Sequence, residues 1–267
     1  MAIVGGIENT NYSLCPMGKK IIIVPDIHGR RFWETVLTYK EDIVFLGDYL
    51  DPYNSEGISR EAAIVNFRKI LLFAKSRPNV TLLLGNHDLS YVKNGVYCRC
   101  RTDYDNYEYI QSLFLKRESL FSLAYECEAG GKRFLFSHAG ITPGWHAQHI
   151  GLFPASYEET LNAGLLNQLY REEKLTSILS EISRYRGGAN EHGSLVWADI
   201  REYLIPSDAL SQSQTIQIVG HSQTVNHPVN LIPSSKVCDV DTRECYYIDD
   251  QGTLRYLAND EEVPVTL

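Results

Sequence analysis

Short, wholly apolar runs alternate along this chain with longer segments whose apolar residues recur every three or four positions. Ile21-Ile22-Ile23-Val24 is the first such run, bounded by Pro25 and by Gly29 a little further on. Four β-branched residues between turn formers predict a short buried strand. Residues 42–46 and 80–84 repeat the pattern and close on Gly47 and Gly85. Between the first two runs, Phe32, Trp33, Val36 and Leu37 fall at helical spacing, so residues 30–40 are expected to return along the sheet as a helix. Residues 59–72 show a full amphipathic repeat and predict a second helix. Strand, helix, strand, helix, strand is the order of right-handed crossovers in a layered α/β fold.

The pattern changes after Leu89. Tyr91, Tyr97, Tyr104, Tyr107, Tyr109 and Tyr125 occupy a stretch with few β-branched residues, and 107–115 reads as a helix. A tyrosine-rich insertion over 91–127 fits either a substrate lid or the aromatic packing of a peripheral helix. Residues 132–136 return to strand and end in Ser137-His138-Ala139-Gly140. A largely helical region follows to Arg186, its 144–190 portion expected near the active edge, with Ser156-Tyr157-Glu158-Glu159 as a capping box. Residues 215–219 are a further strand, closed by Gly220-His221. The apolar runs 229–232, 245–248 and 253–257, with a turn at Asp249-Asp250-Gln251-Gly252, predict a β-meander forming a second sheet packed on the first. Residues 1–18 lack periodicity and suggest a leader strand or arm. Nothing resembles a linker, so a single domain over 1–267 is expected.

Composition narrows the function classes. Among 267 residues, 44% are hydrophobic and 22% charged, the balance of a soluble globular protein. A net charge of −8 argues against bulk attraction to duplex nucleic acid or an anionic membrane, and so against a nuclease. Neither a secretory signal nor a membrane-length apolar run is evident, which points to the cytoplasm. The six cysteines are scattered and read as free thiols. Cys98-Arg99-Cys100 has the wrong spacing for a zinc site and no second pair to complete one.

Chemistry enters at the strand ends. Asp26 and His28 follow the first strand, Asp48 and Asp51 the second, Asn86, His87 and Asp88 the third, then His138 and His221 follow two later ones. Ligands bind beyond the carboxyl ends of parallel strands, and carboxylates with imidazoles suit a borderline divalent metal. Taken singly, each residue has a structural reading as well. His138 or His221 fits a hydrogen-bonded core histidine, Asp48 a cap and Asn86 a turn former. The remaining histidines, at 146, 149, 192 and 227, read as structural or surface residues.

In order, Asp26-x-His28-Gly29, Gly47-Asp48-x-x-Asp51, Gly85-Asn86-His87-Asp88, His138-Ala139-Gly140 and Gly220-His221 resemble the GDxHG, GDxVDRG, GNHE/GNHD, HxG and GH motifs of the calcineurin-like metallophosphoesterases. Within them the chain resembles the bacterial-type phosphoprotein phosphatase (PPP) branch, since Gly220-His221-Ser222-Gln223 lacks a GHxH ending. Leu195 to Asp199 resembles that branch's LLWSDP element, and Asp239 to Thr242 its IDTG segment. The resemblance implies a four-layer α/β fold, a central β-sandwich of two mixed sheets flanked by helices. It implies two divalent ions, manganese first, with iron, zinc or cobalt as alternatives. Asp26 and His28 would hold one ion, Asp48 would bridge, and Asn86, His138 and His221 would hold the other. His87 would be the general acid and Asp51 its orienting carboxylate, with the imidazole pKa raised. The implied activity is hydrolysis of a phosphomonoester, on a phosphoprotein or a small molecule, by a metal-bridging hydroxide. Alternatives are a phosphoanhydride hydrolase like the symmetrical diadenosine tetraphosphatases, which Asp88 suggests, and a non-catalytic phosphate-binding module. The motif departs at Asp51-Pro52-Tyr53, where the family has Asp-Arg-Gly. Arg30 and Arg201 are the candidates to replace that phosphate-clamping arginine.

Overall fold

The computed structural model describes residues 20–92, 100–223, 230–232 and 236–264. Strand β1 (Ile21–Val24) is buried along its whole length because both faces are covered. Ile21 and Ile23 point into the space between two sheets, whereas Ile22 and Val24 point outward beneath helices, as the two-residue period of a strand requires. β1 runs parallel to β2 (Asp42–Phe45), β2 to β3 (Val80–Leu83), and β3 to the short β4 (Phe121–Ser122).

The second sheet contains β5 (Ala124–Ala129), β6 (Lys132–Ser137), β7 (Thr215–Val219), β8 (Asn230–Ile232) and β9 (Val237–Asp239). Its order is β5-β6-β7-β9-β8, with the three middle strands parallel and the edges antiparallel. β10 (Tyr246–Ile248) and β11 (Leu254–Tyr256) form a hairpin, with β10 antiparallel to β1 through Ile21↔Ile248 and Ile23↔Tyr246. Both sheets are therefore mixed. Phe134, Phe136, Ile216 and Ile218 meet Ile21, Ile23, Val44 and Leu83 in the core between them. Burying each such side chain contributes about 1.5–3 kcal/mol.

Helix α1 (Arg60–Lys75) starts at Ser59, whose side chain accepts the Ala62 N–H. Its Ala63, Phe67, Ile70 and Leu71 join Ile22, Ile43, Phe45 and Leu82 in the outer core. α2 (Tyr107–Leu115) adds Phe114, which packs 4.8 Å from Phe67. α3 (Pro143–Gln148), α4 (Tyr157–Thr160) and α5 (Ala163–Arg171) belong to the other flank. Asn167 of α5 accepts the Leu123 and Ala124 N–H groups and donates to the Ala124 carbonyl, fastening that helix to β5. Two mixed sheets flanked by helices is the architecture expected from the motifs.

Three expectations need correction. Residues 30–40 hold no α-helix but a 3₁₀ turn, Phe32–Val36. Only Trp33 and Val36 are buried in it, a spacing of three that suits a 3₁₀ turn, while Leu37 is 39% exposed. The C-terminal hairpin extends the first sheet rather than the second, because Tyr246 and Ile248 share the inter-sheet core with Ile21 and Ile23. The helical region before Arg186 is broken into short helices and turns. Among the tyrosines, Tyr91 stacks on Phe114 and Tyr107 donates to the Ser90 carbonyl, whereas Tyr104 and Tyr109 face solvent. Tyr97, Cys15, Cys98, His227 and residues 1–18 lie outside the described residues.

Candidate metal centre

The loops after β1, β2, β3, β6 and β7 converge at one edge of the sandwich. The first two continue side by side past their strands: His28 N–H donates to the Asp48 carbonyl (2.6 Å) and Gly29 N–H to that of Tyr49 (3.1 Å). His28, Asp48, Asp51 and His221 have φ of +44°, +52°, +57° and +73°. Such backbone costs about 1–3 kcal/mol per non-glycine residue, and it turns the side chains off the strand direction into the site. Gly85 and Gly220 allow the loops to close. A Cβ on Gly85 would lie 2.2 Å from Asp48 Oδ1, and one on Gly220 2.3 Å from Asp26 Oδ1.

Two donor sets result, His28–Asp48–His87 and Asp48–His138–His221, each with its ligand atoms within 4.8 Å of one another. They share Asp48. His28 Nδ1 is engaged by the Leu50 carbonyl (3.0 Å) and His138 Nδ1 by that of Leu46 (2.8 Å). A carbonyl only accepts, so each Nδ1 carries the proton and each Nε2 is left with a bare lone pair. Burial lowers the His138 pKa to about 3, which keeps the ring neutral. Its bare Nε2 nevertheless faces Asn86 Oδ1 at 2.9 Å, His221 Nδ1 at 3.1 Å and Asp48 Oδ2 at 3.6 Å. His28 Nε2 lies 3.4 Å from the same Asp48 oxygen. His221 Nε2 is buried and has no partner among the described residues.

Lone pairs this close need a proton or a cation between them, and a buried set of neutral imidazoles with carboxylate and amide oxygens fits a divalent metal centre. The electrostatics agree. Burial, then Asp241 and Asp48, push the Asp26 carboxyl well above its ordinary value; burial and then Asp88 do the same for Asp48. Burial pushes His28 and His221 well below theirs. A bound dication would reverse the shift at the carboxylates and reinforce it at the imidazoles, which bind metal in their neutral form. Asp26 belongs to neither compact set. Both its oxygens lie 3.2 Å from the His221 N–H, although it lines the same cavity.

His87, although grouped with His28 and Asp48, has its Nδ1 2.9 Å from Asp51 Oδ2, and Tyr91 donates its hydroxyl to Asp51 Oδ1 at 2.8 Å. The His87 pKa is lowered, not raised: burial outweighs the Asp51 hydrogen bond and charge. Asp88 does not enter the cavity. It accepts the Gly85, Asp48 and Tyr49 N–H groups and so pins the loop carrying Asp48 to the loop carrying His87. Burial raises it to about 7 against those three donors.

Neither arginine expected to contact substrate is placed to do so. Arg30 is gripped by Glu56, Nε at 2.7 Å and Nη2 at 2.8 Å, with Nη1 directed at the Asp26 carbonyl. Arg201 is held by Asp199 at 2.6 and 3.0 Å. Neither lines the cavity of about 210 Å³ over the donors; the cations that do are Arg101 and Arg186, together with Tyr53, Cys100 and Trp197. Both arginines lie on segments without a motif or an apolar period, so pattern reading passed over them. Asp239 and Asp241, buried with one oxygen each that has no partner among the described residues, lie close enough to raise Asp26; the IDTG-like run is the signal that marked them. Among the other histidines, His146 meets the Pro154 carbonyl, His149 meets Glu181, and His192 lies 3.4 Å from Glu202. No helix among the described residues is long and apolar enough to cross a membrane.

A family model described as calcineurin-like phosphoesterase matches residues 19–263. No curated protein matches the chain.

Proposed function

The chain belongs to the calcineurin-like phosphoesterase family, and from that premise we propose that it hydrolyses phosphomonoesters, on phosphoproteins or small molecules, with two divalent ions. The observation that carries this reading is the pair of buried donor sets that share Asp48. Asp26, His28 and Asp48 would hold one ion, and Asp48, Asn86, His138 and His221 the other. Such a pair supplies a water of lowered pKa and offsets charge on the transferring phosphoryl group.

The chain's own residues do the rest. His87 has Nδ1 engaged by Asp51, which leaves Nε2 to deliver a proton to the departing ester oxygen. A phosphate dianion beside the ring favours the imidazolium and opposes the lowering that burial imposes. Asp51, itself fixed by Tyr91, orients the ring. Trp197 lies edge-on to His221, 5.7 Å between centroids, and shields the second donor set from water. Mixed nitrogen and oxygen donors accept manganese, iron, zinc or cobalt, and manganese is the ion to supply first.

The test is hydrolysis of a small aryl phosphate by chelator-treated protein. Activity should be absent after chelation and return when manganese is added. Failure to hydrolyse any phosphomonoester with manganese, iron, zinc or cobalt would overturn the reading.

A further inference from the structure

Two guanidiniums stand on the cavity wall where no motif assigns them, and we infer that Arg101 and Arg186 form the clamp for the phosphate dianion, with Tyr53 positioning Arg101. The inference rests on the phosphomonoesterase reading above. Its starting point is the turn Asp51-Pro52-Tyr53. Proline cannot supply the cation that follows aspartate in the resembling motif, but the next residue, Tyr53, brings one in from elsewhere. The Arg101 guanidinium lies 3.9 Å from the centre of the Tyr53 ring, a distance at which a cation is held by the aromatic face. One Nη donates to the Asp51 carbonyl at 2.9 Å. Arg101 is thus fastened to the same turn that orients His87.

Arg186 is fastened on the other side of the site. Its Nη2 donates to the His221 carbonyl at 2.5 Å, and its Nε stands 3.3 Å from Asp199. The two cations are therefore anchored next to different donor sets, one beside His87 and one beside His221.

Availability separates Arg101 from its rivals, whereas Arg186 keeps one nitrogen near Asp199. Arg30 and Arg201 each give two nitrogens to one carboxylate. Among the described residues no carboxylate pairs with Arg101, so most of the five N–H donors of its guanidinium remain for an oxyanion. The cavity, about 210 Å³, is below the 300–1,000 Å³ typical of sites that enclose a whole small molecule. It suits the phosphoryl group and the first atoms of the ester, leaving the rest of the substrate outside. The ligand class is a compact tetrahedral dianion read by its head group.

The experiment uses full-length, manganese-loaded protein and measures KM and kcat for an aryl phosphate, the inhibition constant of inorganic phosphate, and metal content. Arg101→Ala and Arg186→Ala should each raise KM and the phosphate inhibition constant by about tenfold or more, with metal content unchanged. Arg101→Lys, which keeps the charge but loses the fork, should fall between. Tyr53→Leu should raise the phosphate constant as Arg101→Ala does, Tyr53→Phe should rescue it, and adding Tyr53→Leu to Arg101→Ala should cause no further loss. Wild-type hydrolysis with an unchanged phosphate constant in Arg101→Ala would overturn the clamp. No hydrolysis by wild type would instead overturn the phosphomonoesterase reading, and calorimetric binding of phosphate to wild type and Arg101→Ala would still decide the clamp.

Discussion

Asp48 faces His28 on one side and His138 on the other with a single oxygen, while its second oxygen accepts the His87 N–H. That arrangement would let one carboxylate serve both ions of the proposed pair. His87 has a separable task. His87→Asn should leave metal content intact and lower turnover by about 10²–10⁴-fold on alkyl phosphates. The loss should be much smaller on an activated aryl phosphate, whose leaving oxygen needs little protonation. Steady-state kinetics on the two substrate types check this, and equal losses would remove His87 from the role of acid. At this scale the sequence was legible wherever a glycine marked a strand end. Asp26, His28, Asp48, Asp51, Asn86, His87, His138 and His221 were all singled out in that way, and the folded loops bring them together. Arg101 and Arg186 were not legible, since nothing local says that a side chain will fold back over a site formed by other segments. Arg30 misled for a related reason. It follows Gly29 directly, but Glu56, a half-buried carboxylate from another loop, claims it.

At the scale of elements, local pattern and burial explain what the sequence did and did not reveal. α2 and β7 form at the expected residues, 107–115 and 215–219, because each is a bounded pattern that needs no distant partner to define it. Sheet membership of the C-terminal hairpin is different, because it depends on β1 having an open edge. The junction of α4 with β7 offers a pH test remote from the site. Burial raises the Glu158 carboxyl, but hydrogen bonds from Thr215, Ser213 and the Gln214 N–H, with the Arg133 charge, outweigh it and hold the pKa below its usual 4.5. A carboxyl depressed in the folded state stabilises fully above its unfolded pKa and loses that contribution as pH falls through the folded value. Glu158→Gln should therefore cost about 1 kcal/mol at pH 7, limited by partial exposure. The difference in urea midpoint between it and wild type, both chelated, should shrink below pH 4.5. A difference independent of pH would show that charge at Glu158 plays no part.

For the whole molecule, the fold explains why the site lies where it does. Parallel strands β1, β2 and β3 deliver their loops to one edge of the first sheet, and the parallel β6 and β7 deliver His138 and His221 to the same edge from the second. The site therefore spans both layers, with His28, Asp48 and His87 from the first sheet and His138 and His221 from the second. This is also why the order of the motifs could be read from sequence while their distances could not. In a chain of net charge −8, Arg101 and Arg186 bring two cations to the cavity beside Asp26 and Asp48. The most direct measurement is elemental analysis of manganese-loaded protein after gel filtration, wild type beside Asp48→Asn. Wild type should carry two ions per chain, and Asp48→Asn should lose occupancy at both positions, because a neutral amide cannot balance two dications. Fewer than two ions in wild type, or full retention in Asp48→Asn, would contradict a centre built on a shared Asp48.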